Sequence, residues 1–419
     1  YEKITAKDPT DSDSWLMLGR LHKIAQNSVA SEKAYKKVLE LDPENEDAMT
    51  GLAMVYSDLG DAKAATDMLR RVTDKNPSMR TLAALATAYE QMRDYGLAAE
   101  TLRKALTLSP DNFELKRALA QNLMLAEKPD EALDIYLALA KAEPKDVQVR
   151  LRISQLYRQQ RKFDKAREAS DRAKELDPEN LEIRYNEVNL LDAEGRYDEA
   201  IATLNQILDV TAKSKYDPPE RSNRVIFLER LGLLYRSREQ YDKAAQAFRS
   251  IGELDPDLGA RAAAQVMETY RLAKDYAKAE REAEAAYSKY PDDRTVTLIR
   301  ASVLADIGKT DPAATSLKKL LRGKDDRETY VSLAQVYDKA KRYGEMSQML
   351  DAAEKLSSTP EEQEGIVFMR GAMFERMKKY ADAEVQFRKV LAMNPKSASA
   401  LNYLGYMLAD RNVRLQEAY

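Results

Sequence analysis

Apolar and small residues recur along this chain at helical spacing, and proline interrupts them at a nearly constant interval. Within residues 10–43, Trp15, Leu18, Gly19 and His22 stand at i, i+3, i+4 and i+7, one face of an amphipathic helix. Ser31, Tyr35 and Val38 mark the inner face of a second helix, after a short polar turn near Gln26–Ser28. Leu41-Asp42-Pro43 ends that helix, because proline restricts the residue before it and cannot donate to the helical ladder. Glu44 and Glu46 then place negative charge where the dipole of the next helix favours it.

The same frame returns. Leu52, Ala53 and Tyr56 are followed by Ala65, Leu69 and Pro77; Leu85, Ala86 and Tyr89 by Ala98, Leu102 and Pro110. Leu231, Gly232 and Tyr235 precede Ala244, Phe248 and Pro256, and Gly371 and Phe374 precede Ala383, Phe387 and Pro395. Pro9, Pro43, Pro77, Pro110, Pro144 and Pro178 lie 33 or 34 residues apart, and the beat resumes at Pro256, Pro291 and Pro395. A fixed period of this size predicts stacked helix pairs. The small residue after Leu is expected to let the paired helices approach, with the aromatic three positions later filling the space beneath.

This pattern resembles the tetratricopeptide repeat (TPR) family. Trp15, Leu18, Gly19, Tyr35 and Pro43 follow its W-x2-L-G-x2-Y…A-x3-F…P signature, while His22 and Ser31 depart from it. Eleven frames and a partial twelfth cover essentially the whole chain. The resemblance implies an all-α fold: a right-handed superhelical solenoid of antiparallel helix pairs, about twelve repeats long. Family members mostly bind other proteins. The closing stretch Leu401-Asn402-Tyr403-Leu404-Gly405-Tyr406, with Ala409-Asp410-Arg411, looks like the last repeats of bacterial multi-repeat TPR proteins, some of them exported lipoproteins.

The beat slips twice. Leu191 and Tyr235 hold the same repeat position but lie 44 residues apart, with ten extra residues around Thr211–Ser222. Pro218 and Pro219 forbid a helix from running through that point. A longer inter-repeat loop or a longer first helix in repeat 7 accounts for it, and a loop reaching toward the groove is the sharper alternative. A smaller slip falls at Ser357–Glu364. The expected segments are 1–212, holding repeats 1–6 after the tail of a preceding repeat at 1–9; 213–358, holding repeats 7–10; and 359–419, holding repeat 11 and a truncated repeat 12. Both ends read as cut from a longer protein, since Tyr1–Pro9 resembles the tail of a second helix and Leu415–Tyr419 stops where another should begin.

Composition narrows the function. Lys and Arg number 67 against 70 Asp and Glu, a net charge of −3, which gives no reason to expect nucleic acid or an anionic membrane as partner. No apolar run approaches the ~20 residues that span a bilayer. There is no Cys and one His, His22, so zinc sites of the usual kind and a Cys nucleophile are excluded. The lack of Cys leaves cytoplasm and periplasm equally open. Gly308-Lys309-Thr310 resembles the end of a phosphate loop, but Val303 replaces the required Gly and no strand precedes it. Glu280, Glu282 and Glu284 lie beside Lys278 and Arg281 at salt-bridge spacing, a solvated helix face. The sequence predicts no enzyme, no metal and no cofactor.

In the first helix of each repeat, positions 4, 7, 8 and 11 pack inward, and positions 2, 5, 9 and 12 form a separate stripe. The family resemblance implies that this stripe lines a concave groove. Repeats 2 and 3 contribute small residues such as Thr50 and Ala83. The middle repeats contribute Arg117, Gln121, Leu151, Gln155, Arg158, Tyr185, Asn189, Arg236, Ala264 and Arg271, with Arg152 and Arg230 at neighbouring position 6. Leu298, Val331, Phe368, Tyr403 and Tyr406 make the last stretch more apolar. Arginine forks and amides suit a peptide backbone and its carboxylates. The expected partner is therefore a protein or peptide segment of acidic character, seated at repeats 4–8 of a non-enzymatic scaffold.

Two other roles compete. One is the substrate-binding arm of a larger, glycosyltransferase-like enzyme; such arms in protein O-GlcNAc transferases carry an Asn ladder at position 6, where this chain has Asn186 among Arg152, Arg230 and Gln265. The other is a bacterial cell-envelope assembly factor. A carboxylate clamp of the chaperone-binding kind is not expected, since Asn186 and Asn189 lack matching Lys residues.

Overall fold

Each of the eleven complete sequence frames is realised as a pair of helices. The computed structural model describes residues 1–323, 326–414 and 416. The chain divides into two compact units, Tyr1–Thr203 and Leu204–Tyr419. The first unit holds α1 (Glu2–Lys7), α2 (Ser12–Ile24), α3 (Ser28–Leu41), α4 (Glu46–Asp58), α5 (Ala62–Lys75) and α6 (Met79–Gln91). It continues with α7 (Tyr95–Leu108), α8 (Phe113–Leu125), α9 (Pro129–Ala142), α10 (Val147–Gln159), α11 (Phe163–Leu176) and α12 (Leu181–Ala193). The division falls inside α13 (Tyr197–Val210). The second unit holds α14 (Pro218–Ser237), α15 (Tyr241–Leu254), α16 (Gly259–Leu272), α17 (Tyr276–Lys289), α18 (Arg294–Asp306) and α19 (Thr310–Lys318). Then come α20 (Arg327–Lys339), α21 (Tyr343–Lys355), α22 (Pro360–Arg376), α23 (Tyr380–Met393) and α24 (Ala398–Asp410).

Within each unit, consecutive helices pack on each other, as α2 does on α3 and α14 on α15, and first helices also touch the first helix of the next repeat, as α4 does α6 and α16 does α18. The core lies between the two members of a pair. Tyr35, Leu69, Leu139, Phe248 and Phe387 of second helices are buried there. In the glycine-bearing repeats the ring that fills the pair comes from the second helix, not from the residue three positions after the glycine. A Cβ on Gly19 would lie 2.7 Å from the Tyr35 ring, and one on Gly232 would lie 2.6 Å from that of Phe248. Ser31, which stands where the family signature has Ala, is buried and donates to the Gly19 carbonyl at 2.7 Å, so its hydroxyl is satisfied inside the pair.

Both turn types follow from local backbone chemistry. After each first helix from α2 on, one residue adopts left-handed φ: Gln26, Gly60, Arg93, Glu127, Arg161, Gly195, Glu239, Lys274, Gly308, Lys341, Lys378 and Asn412. The amide after it reaches back five residues, as Asn27 to His22, Lys162 to Tyr157 and Lys309 to Leu304. This closes the first helix with a Schellman cap. Gly308 is therefore one of these turn residues, and Lys309 pairs with Glu280. Between repeats, Pro43, Pro110, Pro144 and Pro178 sit in turns that end on an N-cap: Asn45, Asn112, Asp146 or Asn180. Glu46, with Asp47, lies in the first turn of α4, while Glu44 stays outside it.

The slips in the beat become longer first helices. Pro218 and Pro219 open α14, where proline fits the first turn. Asp217 and Glu220 form a capping box there, and Thr359 and Glu362 form another at α22. Residues before α14 are held locally. The Tyr216 hydroxyl accepts from the Lys213 amide at 3.0 Å, and Arg224 donates to the Leu208 carbonyl at 2.8 Å while lying over the Tyr216 ring. Tyr1–Pro9 contains the short helix α1, which packs on α2. Of the final segment 415–419, all but Gln416 lie outside the described residues.

Candidate functional site

The open face of each first helix is what helix and repeat packing leave unused. Position 3 is buried in every repeat, from Ser14 and Ala48 to Val296 and Ala400. Position 10 faces the preceding repeat: Asn122 there donates to Glu90 of that repeat and is buried. Val55, Leu156, Leu190, Leu234 and Val303 at the same position are buried too, whereas Leu21 on α2 is 44% exposed. Position 9 is open in every repeat but the eleventh, where Ala372 is buried. It holds Thr87, Gln121, Gln155, Asn189, Leu233, Gln335 and Tyr406, none of them buried.

Position 5 is more mixed than its spacing suggests. Arg117 and Tyr185 are half-buried, but Thr50, Leu151 and Ala264 are buried and line no surface. Asn186, at position 6, is an interior residue that donates to Ser154 at 2.9 Å and Ser170 at 3.4 Å. It is therefore unavailable to a carboxylate clamp.

In the first unit the structure gathers Arg117, Gln121, Arg152, Gln155, Arg158, Tyr185 and Asn189 on α8, α10 and α12. Arg117 is clasped by three carboxylates. It meets Asp146 at 2.7 Å and Glu114 at 2.5 Å, and it also pairs with Glu143. The hydrogen bond that it donates to Asp146 leads the causes that hold its guanidinium above the ordinary value. Asp146 also caps α10 through the Val149 amide, so Arg117 ties one repeat to the turn that opens the next. Arg152 donates to Gln155 at 2.8 Å and lies 3.5 Å from Glu182.

In the second unit Arg230, Arg236 and Arg271 lie on α14 and α16. Arg236 donates to Gln265 at 3.3 Å and stacks over the Phe248 ring. Arg271 takes Glu268 in a two-pronged bond, 2.7 Å on each side, and reaches Asp306 at 3.2 Å. Those partners raise its guanidinium above the ordinary value, Glu268 first. Asp306 also pairs with Lys339, and Asp338 with Arg376, so successive first helices are laced by alternating charges. Phe368 packs edge-on to Tyr403 at 5.2 Å, and Tyr406 is 78% exposed. Sequence reasoning overlooked the carboxylates that meet these arginines, although Glu114 and Glu268 stand three residues from their partners on the same helix.

Among the described residues, no group of three or more His, Cys, Asp or Glu could hold a metal ion, and no helix is long and apolar enough to cross a membrane.

Comparison with known proteins gives a consistent picture. Residues 5–101 match the family profile described as the cytochrome c-type biogenesis protein H TPR domain. Tetratricopeptide repeat profiles match residues 89–156, 157–217, 228–257, 270–328 and 370–418. The chain is 25% identical over 225 residues to superkiller protein 3 of Schizosaccharomyces pombe, covering 52% of this chain and 16% of that protein. It is 33% identical over 120 residues to the cytochrome c-type biogenesis protein CcmH of Escherichia coli, covering 27% of this chain and 34% of that protein. It is 26% identical over 195 residues to the peroxisomal targeting signal receptor of Candida albicans, covering 44% and 33%. The chain thus spans about a third or less of the length of these relatives. Among solved structures, yeast Tom70 aligns over 96% of both chains at 15% identity with a TM-score of 0.44. YrrB, described as a TPR protein with an unusual peptide-binding site, aligns over 43% of this chain and 94% of its own at 21% identity and a TM-score of 0.40. Repeat profiles that tile the chain, together with a helix pair in every complete frame, mean that the protein belongs to the tetratricopeptide repeat family.

Proposed function

We propose that the protein is a non-enzymatic scaffold that holds a segment of another protein along the open faces of its first helices. The observation that carries this reading is the position-9 row. It stays unburied through repeats 1–10, closing only at Ala372 in repeat 11, and it supplies Gln121, Gln155, Asn189 and Gln335, whose amides can both donate to and accept from a peptide backbone. The names of two relatives, a targeting signal receptor and a biogenesis protein, fit such a role. Acidic side chains of the partner would engage Arg117 by displacing Glu114, whose side chain is 85% exposed and gives only a weak surface pair. Glu143 and Asp146 would keep their places on the same guanidinium.

The test is site-specific photo-cross-linking. A photoreactive amino acid is placed at Gln121, Gln155 or Asn189 on the open row, and at Arg103 or Arg172 on second helices. Adducts with defined partner proteins at the first three positions, and none at the last two, are the expected result. Adducts from the second-helix positions alone would overturn the groove reading.

A second reading, assembly of c-type cytochromes, is favoured by the profile match at residues 5–101 and the 33% identity to CcmH. Adding an apocytochrome c to the same cross-linking experiment checks it: an adduct on the open row supports this role, and its absence removes it.

A further inference from the structure

The last groove step of the second unit contains a cleft of about 430 Å³ walled by Tyr380, Tyr403 and Tyr406 and edged by Glu375, Asp410 and Arg411. Its aromatic wall is fixed from behind. Tyr403 lies 5.2 Å from Phe368 and 5.5 Å from the buried Phe387, ring centre to ring centre, so its ring is braced by the core of the α22–α23 pair. Tyr406 projects from α24 with 78% of its surface exposed. An exposed tyrosine this near a braced one offers two π faces to a guest.

We propose that this cleft seats the guanidinium of an arginine on a partner peptide. The proposal rests on the groove reading given above and names the chemistry of one of its subsites. Three observations converge on a cation. The wall already carries one: Arg411 lies 4.7 Å from the centre of the Tyr380 ring, within the range of cation–π attraction. The two carboxylates at the edge, Glu375 and Asp410, make no ion pair among the described residues, in a unit where most groove carboxylates do. Arg376, the residue after Glu375, is held by Asp338. The cleft thus counts two carboxylates against the single guanidinium of Arg411, and one incoming positive charge balances it. A planar guanidinium also suits the site better than an ammonium, because it can stack on tyrosine while its edge forks to a carboxylate.

The experiment pans a random dodecapeptide library on the full chain and measures the selected peptides by fluorescence polarisation. The expected result is a set of peptides sharing an arginine. Its replacement by citrulline, which keeps shape and removes charge, weakens binding about tenfold or more. Tyr406→Ala and Glu375→Gln should each cause a comparable loss, and citrulline should then cost little further. Both changes are at surface positions, and circular dichroism verifies that the helices persist. Selected peptides that bind these variants as tightly as the unchanged protein, or that carry no basic residue, would overturn the arginine subsite while leaving the groove reading intact. Failure to select any peptide would overturn both.

Discussion

Gly232 and Gly365 are both glycines inside first helices, and their surroundings give them opposite roles. Helix propensity alone would favour alanine at either by about 1 kcal/mol. At Gly232 an added Cβ falls 2.6 Å from the ring of Phe248, a residue with no exposed surface, so the ring must leave its place. At Gly365 nothing lies within 4 Å. Overpacking a closed site costs about 1–3 kcal/mol and outweighs the propensity gain. Gly232→Ala is expected to lower the melting temperature, and Gly365→Ala to raise it slightly, with thermal denaturation as the measurement. A loss in both would show that the glycines serve some need other than room for a ring. The close approach at Gly232 was legible as a small residue in a repeating frame. The identity of its partner was not, because it lies sixteen residues away on another helix, and local spacing favoured the nearer Tyr235.

At the level of elements, the turns within repeats carry a regularity that side chains do not report. Left-handed φ is natural to Gly60, Gly195 and Gly308, yet Arg93, Glu127, Arg161 and Lys274 adopt it at the same repeat position. The Schellman hydrogen bonds fix that conformation whatever residue is present. A side chain there costs about 1–2 kcal/mol, while a glycine costs about 0.5–1 kcal/mol in lost chain freedom. Lys274→Gly should therefore stabilise by roughly 0.5 kcal/mol and Gly195→Ala should destabilise by about 1 kcal/mol, read as opposite shifts of the urea midpoint. Equal shifts in one direction would mean that the turn relaxes into another form. Helix number and order were readable from proline and apolar spacing. The fate of the two slips was not, because Pro218 and Pro360 mark a helix start as readily as a loop.

Over the whole molecule, stability in a repeat array is built from neighbouring pairs, so damage should stay near its source. Phe248→Ala removes a fully buried ring and is expected to cost about 3–5 kcal/mol. Amide exchange should then quicken in α14, α15 and α16 and remain unchanged in α6 through α9, as followed by hydrogen–deuterium exchange mass spectrometry. Uniform acceleration in both units would instead indicate a single cooperative body. The same scale sets what could be read of the groove. Its basic middle was visible in Arg117, Arg152 and Arg271, but their partners Asp146, Glu182 and Asp306 come from the following repeat, or from its opening turn, and only folding brings them across. The left-handed turn residues have a further consequence. Glu127 and Arg161 have nearly equal φ, 58° and 59°, exactly one period apart. A chain cut after one and rejoined after the other meets itself in the same backbone geometry. Each repeat is in this sense an interchangeable cassette, and the length of the open face can change by whole units through recombination without any new turn having to be invented.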